Sequence, residues 1–433
     1  MEFNEAKNWL SGFQFHGIKP GLSRINKLLA SLGHPEKNYP CVHLAGTNGK
    51  GSTAAFLESI LRAHGLKTGL YTSPHLVSVC ERFKINGKNL SEEKFAKYCT
   101  DVKEVLGTGE ATYFELTTAI AFWAFSQEKI DIAIIECGLG GRLDATNVIT
   151  PALSIITPIS YDHMAYLGET LSQIAREKAG IIKPGIPVVL APQREEAREV
   201  ILKSARQKKA PVYQYGRDFR CKPLTKDTHR YEGAHVFEGL VLSLRGEYQV
   251  ENMALAIKAA EILEEKGFLR LSEEKLKKAL STTFWPCRFE FLPFEPPVIL
   301  DAAHNEEGIN LLLKNLSQAG IEKFILLFAA SNEGGTKPFY KMLEKIMPKA
   351  AKIFICEPPG PRAPVTIEEW KKALNSNENI SYYKSWEEAL LAARKSQGKL
   401  PLVVAGSLYL AGRVRNALAD NLNICDGDQS FVD

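Results

Sequence analysis

The sequence predicts an α/β protein. A P-loop-containing domain on a doubly wound parallel sheet comes first, and a second, Rossmann-like α/β domain follows. Three observations carry this expectation. Short apolar runs alternate with helical stretches nearly throughout. A glycine-rich loop separates the first such run from the helix after it. The segment LPFEPP (292–297) is a stiff, proline-rich connector, beyond which the alternation restarts. The expected domains are therefore 1–294 and 295–433.

In chain order, CVHLA (41–45) reads as a strand, and STAAFLESILRAHG (52–65) as a helix that stops at a glycine. KTGLYT (67–72) is a second strand. YFELTTAIAFWAFSQEK (113–129) is a largely buried helix and IDIAIIE (130–136) a buried strand. ALSIITPI (152–159) and IPVVLA (186–191) are further strands, separated by the helix LSQIAREKAG (171–180). Strands this apolar need cover on both faces, which a parallel sheet between helical layers provides. In the second domain VILDAA, FILLFAAS, KIFICE, ISYYK and LPLVVAGS read as strands with helical segments between them. The closing CDGDQSFVD reads as a polar tail.

A chain of 433 residues suggests two or three domains at ~100–200 residues each. Hydrophobic residues make up 45%, enough for a sizeable core. The net charge is only +4, and the basic residues interleave with acids (EEKLKK, REEAREV), as on solvated helix faces. No basic stripe carries aromatics, so nucleic acid is not an expected partner. The start, MEFNEAKNWL, has neither a basic leader nor an apolar core, and no run of about 18 apolar residues exists, so no membrane association is expected. Eight cysteines without a C-x-x-C pair suit reduced thiols in the cytoplasm.

The loop Gly46-Thr47-Asn48-Gly49-Lys50-Gly51-Ser52 follows a strand and opens a helix, the setting of a phosphate loop. Glycines let backbone N–H groups converge on an anion, the helix N-terminus adds partial positive charge, and Lys50 reaches the β- and γ-phosphates. The usual spacing fails, however. Leu44 stands where the first glycine belongs, and Gly51 where the metal-binding hydroxyl belongs. Ser52 is one residue late. Oxygen ligands must then come from the ends of neighbouring strands, where open α/β sheets bind ligands. Ser73, at the end of KTGLYT, and Glu136, a single acid closing an apolar strand, are the candidates.

Five segments, HLAGTNGKGSTAA, TSPHLVSVCERFKING, ECGLGGRLDATNV, DHMAYLGETLSQIAREKAGIIKPG and LDAAHNEEG, together resemble the folylpolyglutamate synthases and dihydrofolate synthases of the Mur ligase superfamily. The likeness runs from GFQFHGIKPGLSR (12–24) to LDAAHN (300–305) and more loosely beyond. It implies a Mur-ligase-type central domain and an ATP-dependent reaction. A pterin carboxylate, in dihydropteroate or a tetrahydrofolate polyglutamate, is phosphorylated to an acyl phosphate, which the amine of L-glutamate attacks. It also implies a monomer.

The resemblance assigns residues as well. Asn48, Gly49, Lys50, Gly51 and Ser52 would line the triphosphate, with Asn252 near adenine and Arg288 and Asp301 meeting the nucleotide from the second domain. Ser73 and Glu136 would hold one Mg2+, and Glu136 with His163 a second. Lys178 would be carbamylated and serve as a metal ligand. His304 would help the glutamate or domain-closing step. Lys50, Lys178, Arg288 and His304 make up the expected catalytic set. Lys19, Pro20, Gly21 and Leu22, then Thr112, Tyr113, Phe114 and Glu115, then Arg142, Leu143 and Asp144 would line the pterin pocket. The residues alone leave other roles open. Lys178 could pair with Glu177 or Glu169 on a helix surface, His163 could be structural, Tyr113 and Phe114 could be core, and Arg288 and Asp301 could pair across the domain junction.

Three departures stand out: Cys287 where the family usually has glycine, Ala302 where glycine is frequent, and FAASNEGGTKPFYKML (328–343) in place of a more usual segment. Rival functions are chain extension alone, a peptidoglycan Mur ligase and a P-loop switch. A hydroxyl after the loop lysine would favour the second and an Asn-Lys-x-Asp motif the third; the sequence has neither.

Overall fold

The computed structural model describes residues 1–14, 19–332, 339–374 and 377–419. The described chain forms two compact units. The first comprises Met1–Ser243 and Gln249–Thr283, the second Leu244–Tyr248 and the chain from Phe284.

In the first unit the strands are β1 (Cys41–Ala45), β2 (Thr68–Tyr71), β3 (Phe83–Ile85), β4 (Lys88–Asn89), β5 (Ile132–Glu136), β6 (Leu153–Ile156), β7 (Val188–Leu190) and β8 (Val212–Gln214). They lie side by side in the order β4-β3-β2-β5-β1-β6-β7-β8. From β2 to β8 the neighbours run parallel. β3 and β4 add an antiparallel edge that the sequence reading does not contain. The register pairs Leu44 with Glu136, Tyr71 with Ile135 and Ala45 with Ile156, so β1, β2, β5 and β6 end level. The loops leaving these ends therefore emerge together.

The helices of this unit are α1 (Phe3–Ser11), α2 (Ser23–Ser31), α3 (Lys50–Ala63), α4 (Glu92–Leu106), α5 (Tyr113–Gln127), α6 (Met164–Leu167), α7 (Leu171–Lys178), α8 (Glu195–Gln207), α9 (Tyr248–Glu265) and α10 (Glu273–Thr282). α1, α2, α4 and α5 share one core with side chains of β1, β2 and β5, while α7 and α8 share another with β6 and β7. The expected helical layers on a parallel sheet are thus present. A small antiparallel sheet, β9 (Arg220–Pro223), β10 (His229–Glu232) and β11 (Val236–Leu240), is tied to α9 by the Tyr231 hydroxyl, which donates to Glu261 at 2.9 Å.

The second unit holds β12 (Glu290–Leu292), β13 (Val298–Leu300), β14 (Phe324–Phe328), β15 (Ala350–Cys356), β16 (Ile380–Tyr383) and β17 (Leu402–Ala405), in the order β12-β13-β17-β14-β15-β16. All neighbours are parallel except β12 and β13. The units divide between Thr283 and Phe284 rather than at 294/295. The reason is that β12 hydrogen-bonds to β13, so the connector LPFEPP lies between two strands of one sheet. Part of the 328–343 segment, the 15–18 stretch and the polar tail lie outside the described residues. Among the described residues no helix is long and apolar enough to cross a membrane.

Candidate active site

The loop after β1 adopts a conformation that its glycines permit. Gly49 has φ +85°, and a Cβ there would meet Asn252 Oδ1 at 2.5 Å. At Gly46 a Cβ would lie 1.8 Å from Thr157 Oγ1. The loop is also tied to the end of β6. Thr47 N donates to the Pro158 carbonyl at 2.9 Å, and Asn48 Nδ2 to Ser160 Oγ at 3.2 Å. Lys50 is the first residue of α3, so the N–H groups that open the helix have no partner within it.

Four expected residues converge here. Lys50 Nζ donates to the carbonyls of Gly46 and Thr47, each at 3.1 Å, and lies 3.8 Å from Glu136 Oε1. Glu136 is buried, and its Oε2 accepts from Ser73 N at 3.2 Å. Lys178, at the end of α7, is buried too and donates to the Gly46 carbonyl at 2.7 Å. It is not a helix-surface lysine, and among the described residues it makes no ion pair with Glu177 or Glu169; Glu177 pairs with Arg142 at 2.9 Å. Burial, and then the neighbouring charge of Lys50, push the Lys178 amine down to about 7. Asp162 is close enough to pull the other way, and it is absent from the expected site although it adjoins His163. His163 sits in the left-handed region at φ +49° beside Asp162.

Other expected residues have their polar groups committed elsewhere. Ser52 is 2% exposed, and its hydroxyl accepts from Gln249 at 3.3 Å. Asn252 donates to Gln249 Oε1 at 2.9 Å and accepts from Thr53 at 3.3 Å. Ser52, Gln249, Asn252 and Thr53 thus form a chain clamping α9 onto α3. Thr112 and Glu115 make the capping box that starts α5, and Glu115 also pairs with Arg24 at 3.1 Å. Arg24 in turn donates to the Lys19 carbonyl at 2.6 Å, which brings the 19–22 segment to the same end of α5. Phe114 packs its ring where a Cβ on Gly138 would stand, so it braces the loop after Glu136. Asp144 accepts from Leu139 N at 2.8 Å and Thr146 N at 3.0 Å, and burial raises its pKa. Arg142 and Leu143 beside it are exposed.

Arg288, Asp301 and His304 all belong to the second unit. The pairing of Arg288 with Asp301 across a junction is therefore replaced by an arrangement within one unit. Asp301 accepts from Phe289 N at 3.0 Å and Ala303 N at 2.8 Å, and it makes no ion pair with Arg288 among the described residues. Burial pushes Asp301 up to about 6, against the pull of the Arg288 charge. Cys287, one residue before Arg288, has φ +56°, a left-handed conformation that glycine adopts without strain. His304 Nδ1 lies 2.9 Å from the Ala302 carbonyl.

Gln249 and Arg82 are missing from the sequence reading. Gln249 is fully buried and shares the α9 stretch YQVENMALAI with Asn252, a spacing of one helical turn that could have flagged it.

The chain matches known proteins along nearly its whole length. Residues 44–260 match the Mur ligase middle domain, and residues 287–408 the Mur ligase glutamate ligase domain. The chain is 37% identical to the dihydrofolate synthase/folylpolyglutamate synthase of Bacillus subtilis, over 96% of this chain and 99% of that one. It is 33% identical to the folylpolyglutamate synthase of Lacticaseibacillus casei, again over 96% and 99%. A Mycobacterium tuberculosis folylpolyglutamate synthase solved with ADP and AMPPCP superimposes with a TM-score of 0.88 at 27% identity, over 96% of this chain and 99% of that one. The chain belongs to the Mur ligase family, among its dihydrofolate synthases and folylpolyglutamate synthases.

Proposed function

We propose that the chain uses ATP to join L-glutamate to pterin carboxylates: to dihydropteroate, giving dihydrofolate, and to tetrahydrofolate polyglutamates. The observation that carries this reading is the gathering of Lys50, Lys178, Glu136 and the Ser73 backbone at the mouth of the Gly46–Gly51 loop. The names of the relatives supply the substrates, and the M. tuberculosis complex names adenine nucleotides.

The loop N–H groups and the start of α3 bind the triphosphate. Lys50 leaves the carbonyls of Gly46 and Thr47 for the β- and γ-phosphates. The substrate carboxylate takes the γ-phosphoryl group, forming an acyl phosphate and releasing ADP. The glutamate amine then attacks the acyl carbon, phosphate leaves and an amide remains. Arg288 and Asp301 act on the nucleotide from the second unit, His304 serves the glutamate step, and Asn252 stands on the adenine side of the loop. The segments 19–22, 112–115 and 142–144 receive the pterin.

Magnesium fits the donors present. Ser73 and Glu136 offer hard oxygens for a first ion. Glu136, His163 and Lys178 would hold a second, provided Lys178 is a carbamate. Its amine, buried and held to about 7, is partly neutral at neutral pH, the form that adds CO2 and loses a proton. Among the described residues no three His, Cys, Asp or Glu side chains gather as a metal site, so the Ser73 hydroxyl and the carbamate are needed to complete the set. Bound magnesium would neutralise charge on the transferring phosphoryl group. A monomer acting in the cytoplasm completes the reading.

The test is purified protein with MgATP, glutamate and either dihydropteroate or tetrahydrofolate, followed by product chromatography. Both should be extended. Extension of tetrahydrofolate alone would favour the second reading, chain extension only, which the L. casei relative's name suggests. Ligation to a UDP-muramoyl acceptor instead would overturn both.

A further inference from the structure

The geometry points to Arg82 as the group that docks the carboxylate of the pterin acid, a role resting on the ligase reading above. Arg82 is 6% exposed and lies just ahead of β3. A guanidinium cannot shed its charge, so burying it without a counter-ion is costly. Yet among the described residues no carboxylate lies within ion-pair distance of it. The adjacent Glu81 is committed to the N–H groups of Leu76, Val77 and Ser78, at 2.7, 3.0 and 2.7 Å.

What holds Arg82 is neutral or aromatic. Its Nε donates to His75 Nδ1 at 2.9 Å, and its Cζ stands 5.4 Å from the centre of the Tyr113 ring. The two terminal nitrogens bond to no described protein group, yet neither is sealed from solvent. A fixed guanidinium fork is thus presented to accessible space with both arms available, the form that grips a carboxylate through two parallel hydrogen bonds.

The surroundings select the ligand. Tyr113 and Phe114 open α5 and are half-buried, while Tyr71, 6.1 Å from Phe114 between ring centres, backs them from the core. A cation at the edge of an aromatic wall suits an acid carried on a flat ring. His75 is two residues beyond Ser73, whose N–H bonds to Glu136. One loop therefore links the guanidinium to the phosphate end of the site.

The test compares wild type, R82K and R82A by calorimetric binding of pteroate and of its neutral carboxamide, alongside steady-state kinetics. Wild type should prefer pteroate to the carboxamide. In R82A that preference should vanish, with the acceptor KM raised roughly 10- to 100-fold, the loss expected for a charge-assisted bidentate contact. The KM for ATP should stay within about twofold. R82K, which keeps the charge and loses the fork, should fall between, and it carries the test if R82A does not fold. An unchanged preference in either variant overturns the assignment, as does a rise in the KM for ATP instead, which would make the anion a nucleotide phosphate. If wild type neither binds pteroate nor ligates glutamate to either acceptor, the ligase reading fails and the assignment with it.

Discussion

Replacing Lys178 by methionine keeps a long side chain in the same space and removes the amine. Burial and the charge of Lys50 bring that amine from 10.5 to about 7 in the folded protein. At about 1.4 kcal/mol for each tenfold change in proton affinity, the protonated form is about 5 kcal/mol worse off than in the unfolded chain. Because the folded value lies below the unfolded one, the unfolded chain binds more protons between the two. Stability therefore rises with pH across that window, and the contribution complete above 10.5 is lost as the pH falls through about 7. The assay is urea unfolding in CO2-free buffer at about pH 7 and about pH 9.5. Wild type should gain about 3 kcal/mol relative to K178M between them, and K178M should be the more stable at about pH 7. Parallel pH profiles for the two proteins would refute the buried, depressed amine. The same substitution should abolish ligation, and the wild-type rate in CO2-depleted buffer should recover on adding bicarbonate. A rate indifferent to bicarbonate would remove the carbamate.

Lys50→Ala should eliminate ATP-dependent ligation while leaving the circular dichroism spectrum and thermal midpoint near wild type, because the lysine's hydrogen bonds are to its own loop's carbonyls and its contact with Glu136 is long, at 3.8 Å. Glu136→Ala should lose activity that added magnesium does not restore; near-normal turnover would take Glu136 out of the site. Gln249→Ala leaves Asn252 and Ser52 with unmet polar groups in the interior, at a cost of about 1–3 kcal/mol by chemical denaturation. It should also raise the KM for ATP more than it lowers kcat. A stability loss with no change in that KM would make the clamp purely structural.

The strand–loop–helix unit was legible because each part has a local cause: an apolar strand, glycines at a turn, then helical periodicity after Lys50. Glu136 was legible as an acid where an apolar strand ends. What stayed hidden depends on distant partners. Ser52 looked like a loop hydroxyl until Gln249, 197 positions away, was seen to donate to it. Arg82 reads as one more charge in VCERF, since its burial comes from His75 and a ring on another helix. The strands RCKP and HRYE are too polar to show a core-facing period, and only Tyr231 and Cys221 turn inward. β12 is three residues beside a run of prolines, and its pairing with β13 decides the domain boundary. Cys287 was noted as a departure from glycine, but only the backbone shows why glycine suits that position.

The missing hydroxyl at Gly51 has a structural counterpart on the other side of α3. The next hydroxyl, Ser52, faces α9, and freeing it would disconnect Gln249, which also holds Asn252. Asn252 in turn stands where a Cβ on Gly49 would be, so the same clamp explains why that position carries glycine. One face of the helix start is thus occupied by packing against α9. The loop from β2 reaches Glu136, with the Ser73 N–H on its Oε2. The level register of β1, β2 and β5 makes this contact possible, because it brings a residue of one loop to the mouth of another. A hydroxyl supplied across the sheet depends on strand register, whereas one supplied along the loop depends on helix phase. Slippage of β2 against β5 by one residue would turn every β2 side chain to the opposite face and carry Ser73 away from Glu136. If Ser73 and Glu136 hold magnesium as proposed, strand packing at Tyr71 and Leu70 would therefore bear on that ion in a way an ordinary phosphate loop does not require.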